Sequence, residues 1–294
     1  DEVITVANTA VPTVSAIVSA GGVPRFVDID PQTYLMDVSA LSAAVTPRTK
    51  AVVAVHLFGQ CVAMEAVHEV AGRHALAVIE DCAQAHGATR HGKVAGSMSD
   101  AAAFSFYPTK ILGTYGDGGM VLTGRPEVAE KLRRLRFYGM EKTYYAIEHG
   151  YNCRLDELHA AILRAKMRHL TAYIARRRDL AARYDAALAA TPLVLPRTAP
   201  GNLHAYYLYV VRHPKREAVM AGLKARGVNV NSSYPWPIHT MTGYTHLGYT
   251  EGDLPETERA AREIFSLPMY PSLADAEQEQ VIAALFEVLD AVGV

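Results

Sequence analysis

Short apolar runs alternate with longer helical stretches through the first 136 residues, and that alternation constrains the fold more than any other feature. "VITVA" (3–7), "RFVDI" (25–29), "AVVAVH" (51–56) and "LAVIED" (76–81) read as buried strands, rich in Val and Ile. Helical stretches lie between them, at about 11–20, 38–45 and 63–74. Parallel strands cannot be joined by a tight turn. Strands separated by helices of this length therefore imply crossover units and a mostly parallel sheet covered on both faces. "AAAFSFY" (101–107) and "GMVLTG" (119–124) follow with only a loop between them, and 126–137 reads as another amphipathic helix with Pro126 near its first turn.

The pattern then changes. Residues 155–190 read as one long helix, with or without a kink, ended by Pro192 and Pro196. Beyond it, "AYYLYVVR" reads as a strand, "KREAVMAGLKARG" as a helix and "VNVNSSY" as a strand, with two helices after them. The 294 residues thus divide into a large α/β domain at 1–190 and a smaller α+β domain at 191–294. With half its residues apolar, the chain can bury a sizeable core. Lys plus Arg (29) nearly cancels Asp plus Glu (30), which gives no basic surplus for nucleic acid and no charged tail. No apolar stretch approaches the ~18 residues of a membrane span, and no signal-peptide pattern is present. Cys61, Cys82 and Cys153 are odd in number and far apart, which reads as free thiols rather than a disulfide framework or a zinc site.

Two apolar runs end on residues that carry chemistry. Asp81 follows "LAVIE", and Lys110 closes "SFYPTK" just before "ILGTYGDGGM". Ligands of open α/β sheets bind beyond the carboxyl ends of the strands, where both would sit. Alone, Asp81 reads as the cap of a following helix and Lys110 as a loop lysine in solvent. Together they match the needs of pyridoxal phosphate: a lysine that forms a Schiff base, and an acid that keeps the pyridine nitrogen protonated. The hydroxyl of Ser105, five residues before the lysine, suits a phosphate, and Gly113, Gly116, Gly118 and Gly119 allow close backbone approach and unusual dihedrals. "GTYGDGG" is no dinucleotide fingerprint.

"VIEDCAQAHGA", "GSMSDAAAFSFYPTKILGTYGDGGMVLT" and "GYNCRLDELHAAILRAKMRHL" closely resemble the nucleotide-sugar aminotransferases of the DegT/DnrJ/StrS type. "FVDIDPQTYLMD", "VTPRTKAVVAVHLFGQ", "SSYPWPIH" and "SLPMYPSL" fit the same family, in order, over essentially the whole chain. The resemblance implies the fold-type-I architecture of aspartate aminotransferase, with a seven-stranded type of sheet. It also implies a cytoplasmic homodimer with shared active sites that moves an amino group from glutamate to a nucleotide-linked keto sugar, in polysaccharide or antibiotic biosynthesis. Carried over by position, it makes Lys110 the Schiff-base lysine and Asp81 the acid on the pyridine nitrogen. Gln84 becomes a ring contact on the same face if a helix starts there, and Ser105 a phosphate ligand. Asn152 becomes the residue that reaches the neighbouring subunit's phosphate. Tyr234 and His239, on a Pro-rich loop, fall at the mouth of the site, where they can contact the sugar.

Related sugar dehydratases carry histidine in place of the lysine, so Lys110 favours transamination. A regulator or scaffold that keeps the fold without turnover is the reading from another class, and loss of Lys110 or Asp81 would favour it. Two departures stand out. Ala10 occupies the place of the family's ring-stacking aromatic. The family also begins some tens of residues earlier, with a phosphate-binding turn, so this chain, opening on "DEVITVAN", reads as an excerpt or as an incomplete cofactor site. His86 and His91 match no common metal spacing, so no metal is expected. His56 reads as a packed strand-end histidine.

Overall fold

The computed structural model describes residues 1–293. Its first half runs β1 (Glu2–Val6), α1 (Val11–Ser19), β2 (Val23–Val27), α2 (Val38–Ala44), β3 (Thr49–Val55), α3 (Met64–His74) and β4 (Ala77–Asp81). β5 (Ala101–Ser105) and β6 (Gly119–Leu122) complete a sheet of order β2-β1-β3-β4-β5-β6. The first five strands are parallel and β6 runs antiparallel to β5. The α/β class with a mainly parallel sheet holds, but the sheet has six strands rather than seven. The reason is visible in the sequence: this half contains six strand-like apolar runs, and among the described residues no seventh segment pairs with β6. Ile4, Leu41, Val52, Ala54 and Val67 are fully buried in one cluster where helices cover the sheet. Burial of a side chain of this size stabilises by ~1.5–3 kcal/mol, which explains why the strands with the longest Val/Ile runs are central.

After α4 (Pro126–Leu135), the expected long helix is two, α5 (Glu157–Met167) and α6 (Leu170–Leu188), broken at Arg168–His169. No Pro or Gly forces the break; the two apolar faces do. α5 buries only Leu163, beside Phe106 and Leu112 of the lysine loop, whereas α6 buries Leu180, Tyr184 and Leu188 against the C-terminal region. One straight helix could not serve both surfaces.

The C-terminal region pairs β7 (Tyr209–Arg212) with β8 (Ile264–Leu267) antiparallel, with α7 (Arg216–Ala225), α8 (Pro255–Glu263) and α9 (Asp275–Val292). Tyr184, Tyr209, Leu223, Phe265 and Leu285 form its core. The strand read at "VNVNSSY" reduces to a single bridge, Asn231 with Ser266, because Ser232 turns its hydroxyl onto the Ile264 carbonyl and competes with a ladder. "AYYLYVVR" is extended in a ladder only from Tyr209, since the Ala205 and Leu208 N–H groups go to the carbonyls of Gly59 and Phe58. β8 lies where only helices were expected. Among the described residues, no helix is long and apolar enough to cross a membrane.

Candidate active site

Asp81 is the last residue of β4 and Ser105 the last of β5, both at the carboxyl edge of the sheet. Gln84 does not ride a helix. Two consecutive turns follow β4, closed by Ala85 N–H to the Cys82 carbonyl and Ala88 N–H to the Ala85 carbonyl, each at 3.0 Å. Asp81 starts the diversion by accepting the Ala83 N–H on Oδ1 at 3.0 Å, so it caps a turn and not a helix. Its Oδ2 accepts the hydroxyl of Thr13, in the first turn of α1, at 2.7 Å. Both carboxylate oxygens are thereby oriented, near a helix N-terminus whose free N–H groups favour negative charge.

Lys110 lies on the loop after β5, where its own N–H closes a turn to the Tyr107 carbonyl at 2.9 Å. Its amine is half-buried. Burial holds its pKa below the usual lysine range, and the nearby charge of Asp81 opposes that shift. An amine depressed in this way keeps a larger nucleophilic fraction at neutral pH. Nζ sits 4.7 Å from the centroid of the Tyr207 ring. The glycines after the lysine do not adopt the unusual dihedrals expected of them; none of the four has a positive φ. Gly113 is instead required by the loop's own closure, since a Cβ there would come within 2.6 Å of the Tyr107 and Pro108 carbonyl oxygens.

The Gln84 side chain is held at both ends. Its Oε1 accepts the Phe58 N–H at 2.8 Å and its Nε2 donates to the Tyr234 hydroxyl. Burial pushes the Tyr234 phenol above its ordinary range, so it stays protonated, and its ring stacks on Phe58 at 6.2 Å. Ser105 accepts the Tyr107 N–H at 3.2 Å and lines, with Thr13, Asp81 and Ala83, a cavity of about 550 Å³. The structure therefore brings Asp81, Lys110, Ser105, Gln84 and Tyr234 to one end of the sheet.

It does not bring Asn152 or His239 there. Asn152 is exposed, bridged to Phe137, and its Oδ1 accepts from Arg154 Nε at 2.9 Å. His239 is fully buried, with Nε2 3.0 Å from Glu258 Oε1, at a separate pocket lined by Pro235, Pro237 and Tyr249. Ala10 is the residue just before α1 and makes no side-chain cap.

His56, Glu80 and Cys82 come together as possible metal donors, but His56 is already committed. Its Nδ1 accepts the Val62 N–H at 3.1 Å and its Nε2 meets Glu80 at 2.9 Å, while Glu80 also accepts from Gly96, Met98 and Ser99. His86 is buried between Phe104 and Phe106. Neither of its ring nitrogens makes a well-formed hydrogen bond, although the Ser105 carbonyl is close enough to oppose its shift weakly. Burial and then the Lys110 charge hold it down at about 4, so the ring is neutral.

Sequence reasoning missed Thr13 and Tyr207. Thr13 stood in plain view in "TAVPT", but its partner is 68 residues away. Tyr207 lies within "AYYLYVVR", whose pattern is that of a strand.

The donor set fits pyridoxal phosphate: a fixed carboxylate for a protonated ring nitrogen, a half-buried amine for an aldehyde, and a hydroxyl for phosphate. The model of the DegT/DnrJ/EryC1/StrS aminotransferase family matches residues 1–286. The chain is 57% identical to the dTDP-3-amino-3,4,6-trideoxy-alpha-D-glucose transaminase of Micromonospora megalomicea subsp. nigra, over 98% of this chain and 79% of that one. It is 46% identical to the pleiotropic regulatory protein of Geobacillus stearothermophilus, over 98% and 78%. Among solved structures, S. venezuelae DesV in complex with a ketimine intermediate superposes with a TM-score of 0.96 at 42% identity, covering 98% of this chain and 78% of that one.

Proposed function

As this chain belongs to the DegT/DnrJ/EryC1/StrS aminotransferase family, we propose that it moves an amino group from glutamate to C3 of a dTDP-linked keto sugar of the deoxyglucose series. It is a nucleotide-sugar aminotransferase, and its cofactor is pyridoxal phosphate. The donor, the sugar position, a cytoplasmic homodimer with shared sites and a domain division at residue 190 make up the proposed part. The observation that carries the reading is Asp81 held by Thr13 and Ala83 beside the half-buried amine of Lys110. C3 and dTDP rest on the name of the relative at 57% identity.

When bound, pyridoxal phosphate supplies an aldehyde that condenses with amines and a protonated ring that withdraws electrons from the carbon losing its proton. Lys110 Nζ would be the amine that holds that aldehyde, and as a free amine it would be the base that takes a proton from one carbon and returns it to another. Asp81 would hold the ring-nitrogen proton, while Thr13 and Ala83 keep the carboxylate from turning away. Ser105 would offer its hydroxyl to the phosphate. Gln84 and Tyr234 form a wall fixed by their mutual hydrogen bond, and the Tyr234 hydroxyl is the group that would meet the sugar. His239, paired with Glu258, acts in this reading only by shaping the loop beneath Tyr234.

Exposed Tyr138, Tyr144, Tyr145, Ile147 and Tyr151 flank Asn152, and apolar side chains gathered on a surface mark an interaction face. A second copy covering that face would take Asn152 to the partner's cofactor.

The regulatory relative favours the competing reading, a fold kept for signalling. Lys110 and Asp81 argue against it, as Lys110 does against dehydration. Purified protein with pyridoxal phosphate and glutamate, offered dTDP-, UDP- and GDP-linked 3-keto and 4-keto sugars, should aminate the dTDP-linked 3-keto sugar fastest. Preference for a 4-keto sugar would overturn the position, and no turnover with any would favour the regulator.

A further inference from the structure

Lys110 Nζ forms no ion pair among the described residues, although Asp81 is close enough for its charge to be felt. The oxygens of Asp81 already accept from Thr13 and Ala83, and the amine rests on a ring face instead, 4.7 Å from the Tyr207 centroid. Ammonium groups within ~6 Å of an aromatic centroid are attracted by the negative ring face.

The ring is built into place. The Tyr207 hydroxyl is 3.2 Å from Thr109 Oγ1, on the residue next to the lysine. The Tyr207 carbonyl accepts from Arg177 Nη1 at 3.1 Å, and the same nitrogen donates to the Tyr206 and Met269 carbonyls at 3.0 and 2.9 Å. Arg177 is a buried cation of α6 with only carbonyls as partners in these contacts, so its position is costly to change. From the other side, Gly59 presses against the segment. A Cβ there would come 2.8 Å from the Tyr207 nitrogen, and its φ of +112° excludes most other residues.

We propose that Tyr207 is a positioning residue for the Lys110 amine: its ring face holds the ammonium, off Asp81, whenever the lysine is not bonded to the cofactor. This rests on Lys110 being the reacting amine. An ammonium drawn onto Asp81 would compete with the ring nitrogen for the same carboxylate. Parked on Tyr207, it stays charged, close and displaceable. The titratable groups whose charges couple to it are Asp81 and the neutral His86, and Tyr234, which stays protonated, couples to Tyr207 and Asp81.

Competitive acylation of cofactor-stripped protein across a pH series, resolved by peptide mass, reads the pKa of the Lys110 amine directly. Tyr207→Leu removes the ring face and should lower that pKa by about half to one unit. Tyr207→Phe keeps the face and should leave it unchanged, while Tyr207→Trp, with a stronger face, should raise it. The Phe and Trp variants keep the test open if the Leu variant does not fold. A pKa unmoved in both Leu and Trp variants, or lowered as much by Phe as by Leu, overturns the proposal. Borohydride trapping of the wild type with pyridoxal phosphate is run alongside. A label away from Lys110 sinks the functional reading itself, whereas a label on Lys110 with an unmoved pKa sinks only the role of Tyr207.

Discussion

Thr13 Oγ1 donates a 2.7 Å hydrogen bond to Asp81 Oδ2, tying the first turn of α1 to the end of β4. The carboxylate is therefore set before any ligand arrives. Asp81→Asn should keep the cofactor bound yet slow transamination at least about a hundredfold, ~2.7 kcal/mol on the barrier, because the ring nitrogen loses its ionic partner. Thr13→Val removes one hydrogen bond to a charged group and should cost about tenfold. Steady-state rates decide both, and a near-native Asn variant would make Asp81 a turn cap only.

Gln84 satisfies the buried N–H of Phe58, which meets no other acceptor among the described residues. Gln84→Leu should lower stability by ~1–3 kcal/mol, the cost of leaving a buried donor unpaired. Urea denaturation measures it. An unchanged midpoint would show that the Phe58 turn finds water instead.

His86 sets a pH dependence of known sign. Its pKa is held at about 4 in the folded protein, below the ordinary histidine value of 6.5, by burial and then by the Lys110 charge. Between those values the unfolded chain binds more protons, so stability falls as pH drops from about 6.5 toward 4. The full effect is on the order of 3 kcal/mol. His86→Leu should flatten that slope in urea midpoints taken at pH 7.5 and 5; a variant with the wild-type slope assigns the acid sensitivity elsewhere.

The residues that could be read in advance were those whose meaning is local. Asp81 and Lys110 close apolar runs, and a strand end is a place in the fold that the sequence itself marks. β1, β3 and β4 are legible because a buried parallel strand needs a continuous Val/Ile run. What was illegible depends on partners distant in sequence. The break at Arg168–His169 carries no Pro or Gly and follows from two surfaces that the helices must cover. Residues 205–208 leave the strand pattern because Phe58, Gly59 and Arg177 claim their backbone. Gln84 lost its expected helix to a turn that Asp81 itself closes.

The shared-site proposal predicts complementation. Lys110→Ala and Asn152→Ala proteins, each inactive and mixed so that subunits exchange, should regain part of the activity, because one site of each mixed C₂ dimer keeps both residues. Sites built within single chains would leave the mixture inactive. A monomer by sedimentation would also refute the shared site, including where Asn152→Ala alone stays active.

The central claim is that Lys110 carries the cofactor. Protein loaded with pyridoxal phosphate, reduced with borohydride and mapped by peptide mass spectrometry, should carry the pyridoxyl group on Lys110. A label on Lys50, which lines the cavity beside Asp81, or on Lys142 would contradict it.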